Sequence, residues 1–148
     1  MTNNRKDQIV FLDGKEEAMR TLFSSEHFGY LAIGYTNPNN GFINPETDTD
    51  DIGFHEISQT TDDATYLRIP LTPYGEAIKD LDNGKVLCKF SADLDIDNIQ
   101  RNTPINQYAI VNSATPGDVN TRVYAASTFP TFTKNNKIAI TFVVGFRF

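Results

Sequence analysis

One cysteine, two histidines and no tryptophan leave this chain short of the side chains that most often do chemistry. The single Cys88 excludes an intramolecular disulfide, and its setting among Val86, Leu87 and Phe90 reads as a small core hydrophobe rather than a nucleophile. A reducing compartment is the natural expectation. His27 and His55 lie in separate segments, without H-E-x-x-H spacing or cysteine partners, so zinc has no local framework here. In a strand, His55 and Glu56 fall on opposite faces, the wrong geometry for a base and its orienting carboxylate.

Basic charge is also scarce. Thirteen Lys and Arg stand against nineteen Asp and Glu, for a formal charge of -6, and the basic residues are scattered. A nucleic-acid partner needs clustered Lys and Arg, so none is expected. No apolar run reaches the roughly 18 residues of a membrane helix, and "MTNNRKDQIV" lacks the apolar core of a secretory signal. The expectation is a soluble protein with no membrane partner. G-x-S-x-G, G-x-x-x-x-G-K-[ST] and G-x-G-x-x-G are all missing. A pair of carboxylates for glycoside cleavage is positioned by the fold rather than by sequence distance, and nothing here singles one out. The reading is of a protein that is not an enzyme, with no catalytic residues, no metal site and no cofactor.

Two acidic runs invite a cation. "DLDIDN" places Asp93, Asp95 and Asp97 at the first, third and fifth positions of a calcium loop, but Asn98 replaces the required glycine and Pro104 the bidentate glutamate. Alternating carboxylates also mark the wet face of a strand, and that is the reading taken. "ETDTDD", residues 46–51, reads as a solvated loop.

What the chain does have is aromatic bulk, eleven Phe and six Tyr, in short apolar runs separated by Asn, Asp, Gly, Pro, Ser and Thr. "FGYLAIGYT", "DIGFHEIS", "ATYLRIPLT", "KVLCKFSADLDI", "INQYAIVNS", "TRVYAASTF" and "KIAITFVVGFRF" all read as strands. In "KVLCKFSADLDI", Val86, Cys88, Phe90, Ala92, Leu94 and Ile96 share one face. One helix signal stands out in "FLDGKEEAMRTLFSS", where Asp13 can cap, Glu16 can reach back, and Ala18, Met19, Leu22 and Phe23 share a face. "DNG" at 82–84 supplies a turn, "TPYGEAIKDLD" has room for one helical turn, and residues 36–51 read as an exposed loop. The expected fold is all-β, a jelly-roll-like β-sandwich with one short N-terminal α-helix. Residues 1–13 form an arm and residues 14–148 one sandwich domain, with the helix near 14–24.

The last strand-like stretch is the most apolar. Ile138, Ile140, Phe142, Val144, Phe146 and Phe148 alternate with small or polar residues, which predicts a core face running to the last residue. Pro130 is expected to end the preceding strand, and Asn135 and Asn136 to turn the chain into an antiparallel hairpin with it.

Ala32 to Tyr35, Tyr108 to Asn112, Thr115 to Asn120, Val123 to Lys134 and Ile138 to Phe146 together resemble a class of tailed-bacteriophage virion domains. These occur in tail-collar fibre and related head, neck or baseplate proteins, and "TFPTFTKNNKIAITFVVGF" is the most specific part of the likeness. The resemblance implies a structural, non-enzymatic virion component, a fibre, neck or collar, baseplate or head-decoration part, assembled in the host cytoplasm. Its partners would be copies of itself, with a trimer favoured, and phage capsid, neck or tail proteins. Assembly and packing candidates are Phe129, Pro130, Phe142, Phe146 and Phe148. The alternative is a module binding carbohydrate or a cell-surface ligand, through a loop bearing Tyr35, Asn37 and Phe42.

Overall fold

The computed structural model describes residues 8–40, 53–58 and 65–148. Two antiparallel sheets face one another, with one α-helix among the described residues, so the fold is the all-β sandwich that the alternating runs predict. The elements are α1 (Leu12–Leu22), β1 (Tyr30–Gly34), β2 (Ile69–Pro70), β3 (Thr72–Pro73), β4 (Ile78–Asp80), β5 (Lys85–Leu94), β6 (Thr103–Val111), β7 (Val123–Lys134) and β8 (Ile140–Arg147).

One sheet runs β2-β1-β6-β7. In the other, β5 is central: β3 and β4 pair with it along one side, and β8 along the other through eight consecutive positions from Leu87↔Arg147 to Leu94↔Ile140. β5 buries Val86, Cys88, Phe90, Ala92 and Leu94, as its alternation predicts. Ile96 is about half exposed instead, because the strand stops at Leu94 and Asp95 starts a turn. The Asp95 carboxylate accepts the N–H groups of Asp97 and Asn98 at 2.9 and 3.1 Å. The "DNG" turn does join β4 to β5, with Gly84 at φ 63. The segment before it is strand and bend rather than a helical turn, since β3 and β4 are drawn onto β5.

Three expectations fail in an instructive way. Asp13 does not cap the helix: the N-cap is Phe11, with no side-chain cap, and Asp13 pairs with Lys79 of β4 instead. Pro130 does not end a strand, because β7 continues to Lys134. Ile105 pairs with Phe132 and Gln107 with Thr128, so Phe129, Pro130 and Thr131 bulge opposite Asn106 alone, and an edge-strand bulge tolerates the missing N–H. β7 and β8 do not form a hairpin. β7 pairs with β6 in one sheet and β8 with β5 in the other, so the connection after Lys134 crosses the sandwich. Asn135 and Asn136 turn the chain, but the Asn136 N–H is taken by the Gln100 carbonyl at 3.1 Å and the Asn135 amide by Asn102 at 2.9 Å. The turn is thereby tied to the β5–β6 connection, which makes the same crossing.

The core between the sheets holds Leu31, Ile33, Phe90, Leu94, Ile105 and Ile110, with Met19 and Phe23 of the helix side joining it. A smaller group, Ala32, Ala109 and Val111, gathers Phe54 and Tyr30 around it.

Candidate functional site

Residues 53–57 run alongside β1 beyond the end of β2. Tyr35 N–H meets the His55 carbonyl at 2.9 Å, and Ile57 N–H the Ile33 carbonyl at 3.0 Å. Such close approach needs Gly34, where a Cβ would lie 2.5 Å from the His55 oxygen. His55 is left exposed while Glu56 turns inward. This is the separation of faces expected from their adjacency.

Glu56 meets a fork of partners. Arg68 donates from Nε and Nη2 to the two carboxylate oxygens at 2.8 Å each, and the Tyr66 hydroxyl donates to Oε2 at 2.6 Å. Bidentate, charge-assisted geometry of this kind is among the strongest a protein makes. Arg68 also reaches the Ser113 carbonyl at 3.1 Å and Thr121 Oγ1 at 2.9 Å, and the Tyr66 oxygen accepts the Ile33 N–H at 3.1 Å. Burial works against the Arg68 charge, but hydrogen bonding and proximity to Glu56 outweigh it and hold the guanidinium above its ordinary value. Burial, followed by the Glu56 carboxylate, pushes the Tyr66 phenol far above its usual range. The cluster ties β1, residues 53–57 and the β6–β7 connection together.

Two fully buried amides do parallel work. Asn106 Oδ1 accepts the Thr36 N–H at 3.0 Å and its Nδ2 donates to the Thr36 carbonyl at 2.7 Å, replacing a missing strand partner. Gln107 Oε1 accepts the His55 N–H at 3.0 Å, and its Nε2 donates to the Gly53 carbonyl at 2.8 Å. The chain leaving β1 and the chain returning at Gly53 are each clamped by one side chain of β6. Thr36, expected in an exposed loop, is therefore buried.

Next to these groups lies a cleft of about 290 Å³ lined by Tyr35, His55, Glu56, Ile57, Thr103 and Pro104. Of the expected ligand-loop residues, Tyr35 lines it. Asn37 is exposed and spends its side-chain oxygen on the Asn39 N–H at 3.0 Å. Phe42 and the acidic run at 46–51 lie outside the described residues. Among the described residues no three His, Cys, Asp or Glu side chains gather as a metal site, and no helix is long and apolar enough to cross a membrane. Asp93 accepts Thr141 Oγ1 at 2.8 Å across the β5–β8 pair.

The assembly candidates cluster where β7 lies over β8. Phe129 stacks on Phe132 at 5.4 Å and tilts against Phe142 at 5.7 Å, all three rings only partly buried. Pro130 sits exposed in the bulge. Phe146 packs on Phe23, and Phe148 exchanges both backbone hydrogen bonds with Val86, at 2.8 and 2.9 Å. Ile138, expected on the core face, lies outside β8 and is exposed.

The Glu56–Arg68–Tyr66 cluster and the two amides were missed by sequence reasoning. The available signals were Arg68 inside "YLRIPL" and the polar pair inside "INQYAIV", charges and amides set in otherwise apolar strands.

In comparisons with protein-family models, curated proteins and solved structures, nothing matches this chain.

Proposed function

We propose that this chain is a non-enzymatic structural protein of a tailed-phage virion, which assembles with itself and attaches to capsid, neck or tail proteins. The observation that carries the reading is the composition of its last strand. From Ile138 to Phe146 there is no charged residue, and β8 lies at the outer side of its sheet with Phe142 and Phe146 only partly covered. Natural sheets blunt such edges with charge, proline or bulges, and an edge without these, unpaired among the described residues, is a place for a neighbouring chain. The resemblance of residues 30–148 to virion domains supplies the setting. The test is mass spectrometry and immunogold labelling of purified virions. The protein is expected at a fixed, repeated position on the head, neck, fibre or baseplate. Its presence in infected-cell lysate but absence from purified virions overturns the reading.

A second reading rests on the cleft beside Tyr35. Its volume suits a monosaccharide, and Tyr35 brings an aromatic side chain to its lining. A glycan array with the wild type and Tyr35→Ala separates the two: specific hits lost in the variant favour the binding module, and no hits count against it.

A further inference from the structure

We propose that segment 8–11 of one copy pairs as an added strand with the outer edge of β8 in a second copy, joining subunits head to tail. This rests on the assembly reading above and names the two surfaces that meet.

The two edges near the C-terminus are treated differently. β7 is interrupted by Pro130 and by register shifts at both Ile105/Gln107 and Ile110/Val111, features that discourage a further strand from pairing. β8 has none of these. Its pairing with β5 is unbroken over eight positions, it contains no proline, and Arg147 at its last position is its one charged residue. Among the described residues nothing pairs with its other side. Val143 is about half exposed.

The donor is the run "QIVFL". Ile9 is 81% and Phe11 77% exposed, against 57% for Val10 between them. Phe11 is extended (φ -74, ψ 161) and Val10 lies beside Gly14 of the helix, while Ile9 and Phe11 are presented outward. Two large apolar side chains held this open cost solvation free energy that a partner would recover.

Placement selects a second copy. Asp13 pairs with Lys79, and Lys15 Nζ donates to the Gly84 carbonyl at 2.6 Å, so the arm emerges beside β4. β4 and β8 lie on opposite sides of β5. The arm therefore starts on the far side of β5 from its own β8 edge. Charge agrees: two copies of a chain with net charge -6 repel on average, but residues 8–12 and 138–146 are both uncharged. Donor and acceptor being different surfaces, the contact is heterologous and closes into a ring, such as the trimer expected from the sequence, or extends as a filament.

The experiment is analytical ultracentrifugation of the full chain from micromolar to millimolar concentration, with circular dichroism to confirm folding. Wild type is expected to associate. The arm variant Ile9→Asp/Phe11→Asp and the edge variant Val143→Lys, with Thr141→Lys as a second edge variant, are each expected to stay monomeric. An equimolar mixture of arm and edge variants retains one intact arm and one intact edge, and is expected to give heterodimers and nothing larger. A wild type monomeric at millimolar concentration overturns the proposal. So does an arm variant that associates like wild type, the result expected of symmetric β8-to-β8 pairing, and so does an edge variant of unchanged association. A monomeric chain found in purified virions would refute this contact alone, whereas arm-dependent assembly of a chain absent from virions would refute only the virion reading.

Discussion

Phe23, just past the end of α1, stacks on Phe146 of β8 with ring centroids 3.9 Å apart and planes 16° apart. Phe90 and Tyr124 meet Phe23 edge-on, at 5.3 and 5.1 Å. The apolar end of the last strand is thus partly shielded from within the same chain, by the residue that terminates the helix. The shielding covers one face of β8, and among the described residues nothing pairs with its outer hydrogen-bonding edge.

Truncating this contact should be expensive and coupled. Phe146→Ala is expected to cost about 3 kcal/mol by loss of packing, and a double-mutant cycle with Phe23→Ala to give a coupling of about 1 kcal/mol. Urea unfolding monitored by circular dichroism measures both. Strictly additive losses would show that the stacked geometry contributes nothing beyond burial. Removal of residues 145–148, which takes away both backbone bonds between Phe148 and Val86, should lower stability further.

Removing one member of the inner ion pair should cost more than removing both. The Arg68 side chain is 4% exposed, so Glu56→Ala leaves a guanidinium inside without its carboxylate, at an expected cost of about 3–5 kcal/mol. Glu56→Leu/Arg68→Met removes both charges and is expected to recover a large part of that loss. Thermal and urea denaturation of the three proteins decide it. A double variant no better than the single one would contradict the account of desolvation.

Alkaline pH should unfold the protein through Tyr66. Its phenol is held protonated in the folded state by burial and by Glu56, while in the unfolded chain it ionises near the ordinary value of about 10. The folded form then binds the extra proton, so this contribution to stability is intact below about pH 10 and declines above it, by up to about 1.4 kcal/mol per pH unit. Unfolding free energies measured from neutral to strongly alkaline pH should show the decline. Tyr66→Phe should be less stable at neutral pH, having lost the acceptor for Ile33 N–H, and should have a shallower alkaline slope. Equal slopes would sink the assignment.

Hydrogen exchange should locate the amide clamps. Asn106→Ala is expected to release protection at the Thr36 N–H, and Gln107→Ala at the His55 N–H, with little change at the other site. Each orphaned buried group costs about 1–3 kcal/mol. Gly34→Ala should deprotect residues 55–57 by pushing the His55 carbonyl away, and should lower stability by about 1–3 kcal/mol. Unchanged exchange in all three would mean that the segment after Gly53 is held by something else.

Much of the architecture was legible from alternation, because which face of a strand a side chain takes is a local matter of period two. Val86 to Leu94 and Ile140 to Phe146 show it: both core faces could be read from adjacent residues alone. The helix, too, announced itself through Met19 and Phe23, and the apolar alternation of the last strand declared a core face before any fold was known. What the local pattern could not carry was the choice of partner. Nothing in "TKNNK" distinguishes a hairpin from a crossing between sheets, since that depends on Gln100 and Asn102 taking up the polar groups of Asn135 and Asn136. The same holds for Asn106 with Thr36 and for Arg68 with Glu56: a buried polar side chain is stable only beside its complement, and the complement is brought there by the tertiary fold. The sequence by itself determined the long strands and which of their faces is apolar, because that alternation is local. The tertiary structure alone decided which strands became edges, because an edge is the absence of a neighbour and no single strand encodes that.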